Sequence, residues 1–338
     1  MNELLFPLAA LTVTFVLLIP ALTLVSRHAL ARARRHTTHW ADFGKTSTFA
    51  WLVLPTFAPL VWLASAALHQ SEPWRIQDAC LVDHLHASHC TDALILLGAI
   101  LALLGGGALW RAWREHPRLE LEPLDPQHPL SQRLRHLTQD QAALRTITAR
   151  VVRHAPAPIF SIGWFRRRSI LDACFVRDAD DDILRAALLH EAAHIHSRDT
   201  LRDAAVRLAL AINPLGHLLR PDFGRWRQAR EAYCDSRAVA HGGQPLALAH
   251  GIVHAARFHC PDLERCGASL LCGNDQRTLK LRLALLFSKP PTTTPSRAHL
   301  LLALALAAAI IAPHLPFTGA WDHFHLSVER HAANLREP

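Results

Sequence analysis

His190-Glu191-Ala192-Ala193-His194 sets two imidazoles four residues apart, with a carboxylate beside the first. On a helix, with His190 at 0°, His194 falls at about 40° and Glu191 at about 100°. All three then share one face. Two imidazoles one turn apart can grip a single zinc ion, while the adjacent Glu is aimed past the metal and can take a proton from water. Zinc in such a site lowers the pKa of water and polarises a carbonyl, which is peptide-hydrolysing chemistry. A catalytic zinc needs a third protein ligand and an open position. Glu231, about forty residues on in Glu231-Ala232-Tyr233-Cys234-Asp235, is the candidate. Asp235 lies one helical turn further, at about 40° from Glu231, where it can hold a ligating histidine by its other ring nitrogen.

The elements that must position these groups are legible. Asp180, Asp181 and Asp182 make an acidic helix start, suited to capping and to the positive helix end. Ile183, Leu184, Ala187, Leu188 and Ile195 give an apolar body, and neither Gly nor Pro occurs from Asp178 to Asn213. A second helix is expected over Arg225–Ala240. Cys234 falls near the Glu231 face, whereas Tyr233, at about 200° from Glu231, points away. His196 lies off the metal face at about 240°. Asp199 either braces the end of the first helix or starts the next. His241, His250, His254 or Arg282 could stabilise a developing oxyanion, and nothing in the sequence selects one. Histidine is abundant, 24 in 338 residues. Even so, roughly 0.07 accidental matches to the His-Glu-x-x-His pattern are expected, so chance is a poor explanation.

Leu188 to Asp199, the Asn213-Pro214 pair and Arg230 to Asp235 resemble the active-site segments of the BlaR/MecR-like integral membrane zinc metallopeptidases. The resemblance covers roughly Ile159 to Lys289. It implies zinc ligation by His190, His194 and Glu231, with Glu191 as catalytic base. It also implies a zincin-like metallopeptidase domain acting on a protein or peptide substrate, such as a transcriptional repressor. The antibiotic-sensing members carry a large penicillin-binding domain with a Ser-x-x-Lys nucleophile. Here about twenty residues follow the last apolar stretch, and no Ser has Lys three positions later. Input is therefore expected from a separate membrane sensor partner. HtpX-type quality-control proteases share the His-Glu-x-x-His and later Glu-x-x-x-Asp pattern and are the nearest alternative. A zinc-binding signalling scaffold without catalysis is the other.

Half the residues are hydrophobic, and the formal net charge is +8. No nucleic-acid motif accompanies that charge, and the basic residues follow a membrane topology instead. Four stretches meet the length rule of about 20 apolar residues: 4–25, 49–69, 93–113 and 298–317. Met1-Asn2-Glu3 lacks the basic leader of a cleaved signal, so the first is expected to be an anchor. Arg27, Arg32, Arg34, Arg35 and Lys45 follow the first stretch, and Arg111, Arg114 and Arg118 follow the third. The loop after the second is acidic. The positive-inside rule then puts both termini outside the inner (cytoplasmic) membrane of a bacterial-type cell and the 116–297 region inside.

Within that region Leu119–Pro129 reads as a linker, Leu130–Val152 as a helix, and Ile159–Gly163 and Ser169–Val176 as short strands flanking Arg166-Arg167-Arg168. Leu201–Leu219 reads as a buried core helix. Cys80 and Cys90 could pair if their loop meets an oxidising compartment. Cys260, Cys266 and Cys272 match no standard zinc spacing. The expected fold is α+β and mostly α-helical: a membrane region over 1–115, a cytoplasmic zinc domain with a small β-sheet over 116–297, a fourth span at 298–317, and a tail over 318–338. The partners expected are the substrate, the lipid bilayer and the sensor, with no nucleic acid.

Overall fold

A computed structural model describes residues 11–36, 40–70, 106–107, 121–163, 167–257 and 276–287, with the single positions Leu304, Ala308 and Ser327. The fold is mostly helical with one three-stranded sheet. A π-helical segment, Val13–Leu18, leads into α1 (Ile19–His36). A short 3-10 turn, Trp40–Gly44, then reverses the chain into α2 (Thr46–Gln70). The apolar stretches did not mark the ends of these helices. The first helix runs on through Ala29, Ala31, Ala33 and the arginines between them, because Ala and Arg are good helix formers.

Two segments among the described residues are long and apolar enough to cross a membrane, Val13–Arg35 and Trp40–Ala64. That is two where four were expected; they overlap the expected 4–25 and 49–69, and residues 4–10 lie outside the described residues. The expected spans at 93–113 and 298–317 fall almost wholly outside the described residues, as do Cys80, Cys90, Cys260, Cys266 and Cys272.

The sheet is ordered β1-β3-β2, from β1 (Thr148–Val152), β2 (Ile159–Ile162) and β3 (Arg168–Asp172). β1 pairs with β3 in parallel, and β2 pairs with β3 antiparallel. The helix expected over Leu130–Val152 ends early: α3 (Pro129–Asp140) gives way to β1. The β-branched residues Thr146, Ile147, Thr148, Val151 and Val152 favour the strand. Part of the expected linker also joins the sheet, since Leu124 N donates to Val151 O (2.9 Å) and Arg153 N to Glu122 O (3.1 Å). The strand expected to reach Val176 stops at Asp172. Its carboxylate accepts from Cys174 N (2.8 Å) and starts α4 (Ala173–Asp178).

Next come α5 (Asp181–Ser197), α6 (Asp199–Ile212), α7 (Arg220–Ala240), α8 (Pro245–Arg257) and α9 (Gln276–Leu286). Asp180 occupies the N-cap of α5, but its side chain makes no capping bond. Asp181 instead accepts from Arg133 (2.8 and 2.6 Å). One core gathers Leu184, Leu188 and Leu189 of α5 with Phe175, Leu171 and Ile252. A second joins Leu30, Phe43 and Leu52 of the α1–α2 hairpin to Val206, Leu210 and Trp226 of α6 and α7. Each such side chain contributes about 1.5–3 kcal/mol on burial. Between them these cores pack α5 and α7, which carry the candidate ligands, and α6, which carries Asp199.

Candidate metal centre

His190, Glu191 and His194 sit in the middle of α5 and are 0 %, 0 % and 2 % exposed. α7 brings Glu231 over them. His190 Nε2 lies 3.5 Å from Glu231 Oε2, and His194 Nε2 lies 3.6 Å from Glu231 Oε1. The two Nε2 atoms are 3.1 Å apart. Each ring is held from behind by a carboxylate: His190 Nδ1 is 2.8 Å from Asp235 Oδ1, and His194 Nδ1 is 2.8 Å from Asp199 Oδ2. An ionised carboxylate can only accept, so each Nδ1 presents a proton to its acid and each Nε2 is the nitrogen turned toward the other ring and Glu231. Two ring nitrogens face each other, with a carboxylate alongside. Only a proton or a cation between these groups relieves that arrangement.

The electrostatics agree. Burial would lower the His190 pKa, but the charge and hydrogen bond of Asp235 outweigh it and the pKa rises. Burial likewise opposes the rise at His194, which Cys234, Glu231 and Asp199 drive. Burial would raise the Glu231 pKa, yet His194, His190 and Arg282 hold it far below the usual carboxylate range. The carboxylates around the two rings thus favour positive charge between them, which protons supply or a divalent ion such as Zn2+ would supply in their place, with the imidazoles oriented by the acids behind them. The expected ligands His190, His194 and Glu231 are brought together. Asp235 and Asp199 stand where orienting groups are needed.

Local structure explains the placement of Asp199. Arg198, with φ 55°, is in the left-handed region and closes α5, its N–H reaching His194 O and Ile195 O. α6 starts at the next residue, so Asp199 both begins that helix and turns back to His194.

Glu191 is buried, which raises its pKa against the lowering effect of both histidines and of Ser161. Ser161 Oγ, in β2, donates to Glu191 Oε2. Glu191 Oε1 is buried and has no hydrogen-bond partner among the described residues. Ser161 was missed in the sequence. The available signal was a lone hydroxyl inside the apolar run Ile159-Phe160-Ser161-Ile162.

Two arginines stand behind the carboxylates. Arg282 of α9 donates to Asp235 through Nε and Nη2 (both 2.8 Å), and its Nη1 is 3.3 Å from Glu231 Oε2. Arg230 of α7 donates to Asp199 Oδ2 through Nη2 (2.7 Å) and Nε (3.1 Å). Among the four residues considered for an oxyanion, Arg282 alone makes these contacts, and they engage it with Asp235 and Glu231. His241 instead lies 3.0 Å from Arg237, and the His254 ring packs against Phe175. His196 Nδ1 meets Ala192 O and Nε2 meets Thr146 Oγ1, off the metal face as expected. Tyr233 lies under the Arg230 guanidinium at 4.5 Å.

Cys234 Sγ is 3.4 Å from His194 Nδ1, on the side of the ring away from Nε2. With Asp199 and His194 it forms a second group of potential ligands among the described residues. The Arg230 guanidinium already occupies that side, 3.7 Å from Sγ. A divalent ion there would face a fixed positive charge, so this group is better described as the scaffold of the His194 ring. Compared with protein-family models and with curated proteins, the chain matches none.

Proposed function

We propose that the chain is a zinc metalloendopeptidase, associated with a membrane through its helical hairpin, that hydrolyses a protein or peptide substrate. The observation that carries this reading is the convergence of His190 Nε2, His194 Nε2 and the Glu231 carboxylate beside the buried Glu191. His190, His194 and Glu231 would hold the metal. Bound there, zinc would supply Lewis acidity to a substrate carbonyl and to water. Asp235 and Asp199 fix which ring nitrogens carry protons and aim the lone pairs of both Nε2 atoms. Glu191 takes the proton from water at Oε1, the oxygen that Ser161 leaves available, and passes it to the leaving amine. Glu231 is the ligand with access to solvent, its side chain 14 % exposed, so an approaching peptide reaches the centre from that side.

The membrane part of the proposal rests on the outer faces of the Val13–Leu18 segment, α1 and α2. Val16, Leu17, Leu24, Val25 and Trp51 project from the hairpin, in segments long and apolar enough to cross a bilayer. Cleavage on the cytoplasmic face follows from the arginines at the end of α1. A regulatory substrate such as a repressor, and a separate membrane sensor, follow from the family resemblance alone.

Replacing Glu191 by Gln tests the catalytic claim. Cleavage of a generic protein substrate such as casein should fall about 100- to 10,000-fold, with metal content unchanged. Undiminished cleavage would remove Glu191 as the base. Zinc-dependent phenotypes that survive the change would favour a scaffold.

A further inference from the structure

Arg230 does more than neutralise Asp199. Its third donor, Nη1, gives a hydrogen bond to Gly44 O (3.1 Å), in the 3-10 turn that opens the second membrane-crossing candidate. Arg230 is 4 % exposed, so these bonds form away from water. The turn is seated closely on α7. A Cβ at Gly44 would stand 2.6 Å from Ala229 O and 2.8 Å from Arg230 N. Backbone atoms cannot yield as a flexible side chain would. A continuous chain of contacts therefore runs from the hairpin turn through Arg230 and Asp199 to the His194 ring.

We infer that Arg230 is a positioning residue through which the seating of the Trp40–Gly44 turn sets the metal affinity of the centre. This rests on the metal-site reading above. With the turn in place, Gly44 O fixes one arm of the guanidinium and the other two donors are aimed at Asp199. Asp199 then holds His194 with its Nε2 toward His190 and Glu231. A shift of the turn relative to α7 loosens the ring that must point at the ion. A change in the membrane hairpin is thereby converted into a change at the ligand.

The test is zinc affinity of the full-length protein in detergent, measured by competition with a chromophoric chelator, for wild type, Gly44→Ala, Gly224→Ala and Arg230→Lys. Gly224 has open space around its Cβ position and is the control. Gly44→Ala should weaken zinc binding about 10- to 100-fold, the range typical of a lost orienting partner. Gly224→Ala should leave it unchanged. Arg230→Lys keeps a charge for Asp199 but has no second arm for Gly44 O, and should weaken binding by about ten-fold. With Co2+ in place of zinc, the visible absorption should shift in Gly44→Ala, as a purely structural defect would not require. The two changes combined should cost little more than one, because they break the same chain. If Gly44→Ala does not fold, Arg230→Lys decides. Wild-type affinity in either folded variant would overturn the inference while leaving the metal site intact. A wild-type protein that takes up no zinc would overturn both.

Discussion

At the scale of single residues, the centre depends on who holds each side chain from behind. His190 and His194 each have an acid on Nδ1, and each acid has an arginine. The i, i+4 spacing made the histidine pair visible in the sequence. Asp235, one turn from Glu231, was visible for the same reason. Arg230 and Arg282 were not visible as partners of these acids, since each pairing spans more than thirty residues of chain. Ser161 is the third such case. Its hydroxyl reaches Glu191 only because β2 packs on α5. Ser161→Ala should leave one more oxygen of a buried carboxylate unsatisfied, at a cost of about 1–3 kcal/mol. The predicted result is a kcat at least about ten-fold lower with KM and zinc content unchanged, and recovery in Ser161→Thr. An unaltered kcat would show that Ser161 only fills space.

At the scale of elements, the uninterrupted run from Asp178 to Asn213 gave away α5 and α6, because nothing in it breaks a helix except the junction at Arg198. The stretch after Asp140 was misread as helix because no Gly or Pro marks the change to β1. The β-branched residues that do mark it carry a weaker signal. Asp172 shows the opposite case: one polar residue ends a strand by capping the next helix. At the far end of α6, Asn213 Nδ2 donates to Thr23 Oγ1 (2.9 Å) and Thr56 Oγ1 (3.3 Å), and Thr56 Oγ1 donates to Ala209 O (3.1 Å). All three side chains are buried. This polar knot fastens α6 to both helices of the hairpin. Asn213→Ala should lower stability by about 1–3 kcal/mol in detergent denaturation, without changing metal stoichiometry. An unchanged midpoint would mean that apolar packing alone holds α6 there.

At the scale of the whole molecule, α6 runs beside α2 from the hairpin turn to the Asn213 knot. Its first residue touches the candidate ligand His194, and the Asn213 anchor at its end sits between two helices long and apolar enough to cross a bilayer. A helix of 14 residues is about 21 Å long. The candidate metal centre therefore lies about that distance from the knot, at the end of the hairpin that bears the turn. The α1 arginines and that turn lie on the same side. The small sheet was legible as β2 and β3, whereas β1 and the parallel pairing were not, because parallel partners lie far apart in sequence.

All of these scales meet in the ligand set. The most direct measurement is the metal content of the purified full-length protein, wild type against His190→Ala and Glu231→Ala. The account predicts about one zinc per chain for wild type and loss of most of it in both variants, with each variant still folded. A zinc stoichiometry untouched by either substitution would contradict it.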